Sequence, residues 1–120
     1  MNFKQPTPII RIFDETKAKE FYIEYLGYKN DWEHRFEEGM PLYMQVSREN
    51  CILHLSEHYG DGTPGTKLRI ECDDVVAYHK ELQSKAYKYL NPGINEQPWA
   101  KYEMCLADPF GNELRFYTLK

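Results

Sequence analysis

Side chains able to bind or to do chemistry sit at a few places along this 120-residue chain. His54-Leu55-Ser56-Glu57-His58 has the H-x-x-E-H spacing of a zinc-protease motif. That motif works on a helix, where both imidazoles share a face and the glutamate stands beside them. Here Cys51 to Ser56 reads as a strand, and so short a chain leaves little room for such a protease, so the match is one of spacing alone. His54 is then a polar or hydrogen-bonded residue, His34 and His58 are exposed, and His79 lies on a helix. Lys67, Arg69 and Arg115 are cations suited to an anionic ligand, with Glu71 and Glu113 as counter-charges. In Gln97-Pro98-Trp99 the proline cannot continue a sheet ladder, so the loop presents the indole, either to a flat ligand or to a partner chain. Cys51, Cys72 and Cys105 are odd in number and lack C-x-x-C spacing, which points away from a disulfide framework or a zinc knuckle. Cys72 and Cys105 fall in strand segments and read as small buried hydrophobes.

The elements that must position these residues follow from alternation and turn chemistry. Asn95 to Tyr117 has the pattern of a β-hairpin, with Tyr102, Met104 and Leu106 before the turn Asp108-Pro109-Phe110-Gly111-Asn112 and an alternating run after it. Pro6 to Phe13 reads as a strand ending at a helix N-cap, Asp14. Ala18, Phe21, Tyr22, Tyr25 and Leu26 line one helical face, and Gly27 is placed to end that helix in the left-handed conformation. Strands are expected over Tyr28–Phe36, Leu42–Ser47 and Cys51–Ser56, with gaps short enough for antiparallel hairpins. The Gly/Pro-broken stretch 59–65 is a linker between modules of approximately 1–58 and 66–120 within one domain. After it the order repeats: strand Lys67–Cys72, a helix capped by Asp73 or Asp74 and carrying Val75, Tyr78, His79, Leu82 and Ala86, then strands. Alternation puts Leu53, Leu55, Leu68, Ile70, Cys72, Leu114 and Phe116 on one sheet face. His54, Ser56, Lys67, Arg69, Glu71, Glu113, Arg115 and Tyr117 fall on the other.

With 42% hydrophobic and 28% charged residues the chain is an ordinary globular protein rather than a disordered one. A formal net charge of −4 and no basic stripe make nucleic acid a poor partner and permit a cationic small molecule. No apolar run approaches the length of a membrane span, and Met1-Asn2-Phe3-Lys4-Gln5-Pro6 lacks a signal peptide's apolar core, so a cytoplasmic protein is expected.

The element order, with Arg11-Ile12-Phe13-Asp14, Ala18…Phe21-Tyr22…Leu26-Gly27-Tyr28 and the closing Asp108-Pro109-Phe110-Gly111-Asn112, resembles the vicinal-oxygen-chelate superfamily, which includes glyoxalase I, extradiol dioxygenases and bleomycin resistance proteins. Glu96-Gln97-Pro98-Trp99, Glu103 and the D-P-x-G-N turn most resemble the bleomycin-resistance branch. The resemblance implies an α+β fold in which two βαβββ modules form a curved, mostly antiparallel mixed sheet with helices on its convex face. Catalytic members hold a metal on the concave face, and matching the motifs puts Thr7, His54, Lys67 and Arg115 at those positions. Only His54 ligates readily, and fixed cations do not belong in a cation's ligand set. Neither a metal nor another cofactor is therefore expected, nor the metal-dependent chemistry. In bleomycin-binding relatives two chains pair and aromatic side chains sandwich the drug. The match puts Trp99 at one such aromatic and Phe36 or Trp32 near those from the partner's N-terminal half. What the resemblance implies is a homodimeric, metal-free antibiotic-binding protein with a ligand set of Trp99, Phe36, Trp32, His54, Arg69, Arg115, Lys67 and Tyr102. Two rivals remain: a glyoxalase-like lyase or isomerase using His54 with Glu71 or Glu113 as base, and a binder of an anionic metabolite held by Arg69 and Arg115.

Overall fold

Met44 and Val46 alternate with Tyr43, Gln45 and Ser47, and Leu53 and Leu55 with Ile52, His54 and Ser56, so each strand has an apolar edge to bury. A computed structural model describes all 120 residues and divides them into two compact units, Met1–Pro64 and Gly65–Lys120. The first contains β1 (Ile9–Arg11), α1 (Glu15–Lys19), a π-helical segment (Glu20–Tyr25), β2 (Lys29–His34), β3 (Tyr43–Arg48) and β4 (Cys51–Ser56). Its sheet has the order β1-β4-β3-β2, with β1 parallel to β4 and the other pairs antiparallel. Ile10, Met44, Val46, Leu53 and Leu55 are shut off from solvent, as are Ala18, Phe21, Tyr22 and Leu26 on the helical stretch. Burying each large side chain stabilises by about 1.5–3 kcal/mol.

Two expectations change here. The strand anticipated over Pro6 to Phe13 shrinks to Ile9–Arg11, because Pro6 and Pro8 have no N–H to donate; the Pro8 carbonyl still accepts from His54 N at 3.0 Å. The first helix is not one α-helix. Asp14 caps α1 by accepting from Lys17 N at 2.8 Å, but from Glu20 the turns widen, and Leu26 N–H bonds the Phe21 carbonyl five residues back at 2.9 Å. The wider turn spaces the bulky Phe21, Tyr22 and Tyr25, which meet at centroid distances of 4.9 and 5.8 Å. Gly27, at φ +82°, ends it as its position suggests.

The second unit contains β5 (Lys67–Glu71), α2 (Val75–Ser84), β6 (Ile94–Gln97), β7 (Ala100–Ala107) and β8 (Glu113–Thr118). Its order is β5-β8-β7-β6, with β5 parallel to β8. The class is thus α+β, built as two βαβββ modules, each with its own four-stranded mixed sheet. Asp74 caps α2 by accepting from Ala77 N at 3.0 Å, and Tyr78 meets the buried Phe116 edge-on at 5.1 Å. The turn between β7 and β8 is held by Asp108. Its Oδ1 accepts from Phe110 N (2.8 Å) and Asn112 N (2.9 Å), and its Oδ2 from Asn112 Nδ2 (2.9 Å). Asn112 Oδ1 in turn accepts from Thr66 N at 3.3 Å, and Glu113 N bonds the Thr66 carbonyl at 2.9 Å, so the turn also fixes the start of β5.

Candidate functional site

Each unit leaves one sheet face to polar and aromatic side chains. In the first, strand register sets Trp32 beside Gln45, His34 beside Tyr43, and Gln45 and Tyr43 beside His54 and Ser56 of β4. Trp32, 42% exposed, stacks on Tyr43 at 6.0 Å and meets His54 edge-on at 5.3 Å. Phe36 is more exposed still, at 73%, and meets His34 and His58 edge-on. Beneath these rings runs a directed chain of hydrogen bonds. The Gln45 Oε1 can only accept, so His54 Nε2 donates to it at 2.9 Å, and His54 Nδ1 accepts from the Tyr43 hydroxyl at 2.7 Å. Gln45 Nε2 then donates to Asp31 Oδ2 at 3.0 Å. Burial lowers the His54 pKa, which favours the neutral imidazole that this chain needs, while the Gln45 N–H first, with Ser47 and Lys29, lowers that of Asp31. Burial and the nearby Asp61 charge raise the Tyr43 pKa, keeping its proton available to donate.

In the second unit the same face carries charge. Register aligns Lys67 with Glu113, Arg69 with Arg115, and Glu71 with Tyr117, and across β8 it aligns Arg115 with Cys105 and Tyr117 with Glu103. Arg115 Nε donates to Glu113 Oε1 at 2.9 Å, an interaction that lowers the Glu113 pKa and raises that of Arg115. Arg69 lies over the Tyr117 ring at 4.0 Å, with its Nε 3.7 Å from Glu103 Oε1. Trp99 occupies the turn between β6 and β7, where it is 56% exposed and its Nε1 donates to Glu103 Oε2 at 3.1 Å.

Of the expected site residues, the first unit therefore brings together Trp32 and His54, with Phe36 further along the same aromatic row. The second brings together Trp99 and Arg69 through Glu103, and places Lys67 and Arg115 around Glu113. Tyr102 stands apart: it pairs with Thr118 and shares the face of Met104 and Phe116. Ser56, assigned to the polar face, is buried because the following loop folds onto it; its Oγ donates to Asp61 Oδ2 at 2.8 Å and accepts from His58 N at 3.0 Å. Cys105 is not a buried hydrophobe but exposed, since its register position opposite Arg115 puts it on the charged face, and Cys72 is half-buried. Tyr43, Gln45, Asp31 and Tyr117 were not singled out as site residues. Tyr43 and Gln45 reach the His54 face through the pairing of β3 with β4, and a register shift between Asn30 and Trp32, which no residue type announces, decides where Asp31 points.

The positions that carry a metal in catalytic relatives do not fit one here. Both His54 ring nitrogens are taken by Tyr43 and Gln45, Arg115 is a fixed cation bonded to Glu113, and the residue paired with His54 on β1 is Ile9 rather than Thr7. No group of three His, Cys, Asp or Glu side chains stands close enough to hold a metal ion.

This architecture, two βαβββ modules each with one polar face, defines a class. A family model described as glyoxalase superfamily protein matches residues 1–120, and the chain belongs to that superfamily. Among solved structures it is similar to the bleomycin-binding protein of bleomycin-producing Streptomyces verticillus, solved with copper(II)-bleomycin, at 25% identity and a TM-score of 0.75, covering 100% of this chain and 99% of that one. It is also similar to TnmS3, an antibiotic binding protein from Streptomyces sp. CB03234 (22% identity, TM-score 0.73, 100% of both chains). A glyoxalase family protein from Enterococcus faecalis shares the fold at 16% identity (TM-score 0.72, 98% of this chain and 99% of that one). No curated protein sequence matches the chain. No helix is long and apolar enough to cross a membrane.

Proposed function

We propose that this protein is a metal-free small-molecule binder of the bleomycin-resistance type, sequestering an aromatic, drug-like ligand in a cleft shared by two copies of the chain. The observation that carries this reading is Trp99, a large indole exposed to solvent yet held in one orientation by a hydrogen bond to a buried carboxylate. An exposed ring fixed from behind stacks on a flat ligand at little entropic cost. Trp32 and Phe36, exposed on the first unit's polar face, are the rings proposed to reach the ligand from the other copy. The likeness to the bleomycin-binding protein supports the ligand class. The three free cysteines suit a reducing compartment such as the cytoplasm.

Bleomycin titrated into the protein is expected to change tryptophan fluorescence saturably at micromolar drug, with matching heat by calorimetry. Trp99→Ala should weaken binding by about 10-fold or more, as for an aromatic anchor that the ligand covers on binding. Silence in both measurements would remove the drug-binding claim, and a monomer by sedimentation equilibrium would remove the shared cleft. A second reading, an anionic metabolite held by Arg69 and Arg115, is favoured by the three cations on the second unit's polar face. A thermal-shift screen with organic acids against antibiotics separates the two.

A further inference from the structure

Glu103 is the least expected residue in the second unit. It sits on the polar face, yet it is only 3% exposed. A buried carboxylate needs several donors, and this one has a single hydrogen bond, from Trp99 Nε1 to Oε2. Its other oxygen, Oε1, is buried and accepts no hydrogen bond from the protein. The nearest cation, Arg69, stops at 3.7 Å, outside hydrogen-bond reach, with its guanidinium drawn over the Tyr117 ring and its side chain 45% exposed. One carboxylate is thus shared between an indole that it orients and an acceptor site that its neighbours leave unfilled.

We infer that Glu103 and Trp99 form a subsite for a planar aromatic ligand bearing a cationic N–H donor, an amidinium or an ammonium. Its N–H bonds Glu103 Oε1 while its ring lies against the Trp99 indole. Arg69 is the resident counter-cation that such a ligand displaces: it is partly exposed and anchored only by the Tyr117 ring and the loose ion pair, so it swings away without breaking a hydrogen bond to Glu103. The incoming cation replaces it and keeps the buried charge neutralised. This subsite rests on the reading of Trp99 as part of the ligand site and adds the charge and donor that the ligand carries.

Three probes with one ring system test it: 2-naphthamidinium, neutral 2-naphthamide and anionic 2-naphthoate. Binding is followed by NMR through the Trp99 indole N–H, assigned with Trp32→Phe. The amidinium should bind about 10-fold tighter than the amide, the size expected of a charge-assisted hydrogen bond, with the naphthoate weakest. Glu103→Gln retains an acceptor for the Trp99 N–H but removes the charge, and should bring amidinium and amide to within about 2-fold of each other. Arg69→Ala removes the competing cation and should strengthen amidinium binding several-fold. That variant decides the matter alone if Glu103→Gln does not fold. Equal affinities for the three probes, tightest binding of naphthoate, no binding of any probe, or unchanged or weaker amidinium binding in Arg69→Ala would each overturn the subsite. Bleomycin is titrated into the same samples. Drug binding without amidinium preference sinks the subsite and leaves the wider reading, whereas amidinium preference without drug binding does the reverse.

Discussion

The two units share a strand order and a buried face but differ in what they put on the polar one. The first carries stacked aromatic rings over a hydrogen-bonded relay from Tyr43 through a neutral His54 and Gln45 to the Asp31 carboxylate. The second carries opposed charges, Arg115 with Glu113 and Arg69 with Glu103. The buried faces are alike because both must expel water, a demand met by Leu, Ile, Met and Phe at alternate positions. The polar faces are under no such demand, so the same scaffold holds an aromatic, hydrogen-bonded surface in one half and a surface of paired charges in the other.

The contrast extends to the turns between each unit's last two strands, and this is where it breaks most visibly. Asp108→Ala should cost about 3 kcal/mol in chemical denaturation, since three charge-assisted hydrogen bonds disappear and buried N–H groups lose their acceptor. A loss under about 1 kcal/mol would show that the five-residue turn does not depend on its carboxylate. The matching turn of the first unit is built instead on Glu49 at φ +48°, where a side chain is strained. Glu49→Gly should stabilise by about 0.5–1 kcal/mol, and destabilisation would mean that the Glu49 side chain contributes more than its strain.

The pH response separates the faces further. Burial holds the folded His54 pKa below the ordinary 6.5, so the unfolded chain takes up a proton first. Stability then falls as pH drops through the unfolded value and stops falling below the lowered folded one. Glu113 behaves in the opposite sense, its pKa lowered by the Arg115 N–H below 4.5; its contribution is present above that value and is lost in acid. Asp31 and Glu33 add to the acid limb from the first unit. Denaturant melts between pH 7 and 5 should therefore show a slope that His54→Gln flattens and Glu113→Gln leaves alone. An unchanged slope in His54→Gln would remove His54 as its source. The smallest effect belongs to the half-buried surface ion pair: Arg115→Ala should change stability less than any of the substitutions above, and less still in high salt. A larger loss would mean that the charged face is structural, as the relay is.

Much of this was legible in the residues. The Asp14 and Asp74 caps, the left-handed Gly27 and the Asp108–Asn112 turn each follow from local chemistry that needs only neighbours in the chain. Alternation separated Leu53, Leu55, Leu114 and Phe116 from His54, Arg69 and Arg115, because a strand's facing depends on parity alone. Strand membership alone does not say that Cys105 faces outward, where its parity with Arg115 puts it, and alternation gives Ser56 its face but not the loop that buries it.

What the sequence by itself determined is which residues share a face and where the chain turns, since both are set within a few residues. Which side chains meet on that face was decided only by the tertiary structure. Partners across a sheet depend on strand order and register, and those are settled by the packing of the whole unit, including the register shift beside Asp31. Glu103 makes the point. In the chain it is one residue of the pattern shared with the bleomycin-resistance branch, with nothing to say what it meets. In the folded unit it is a buried carboxylate with Trp99 on one oxygen, Arg69 at a distance from the other, and an acceptor left over.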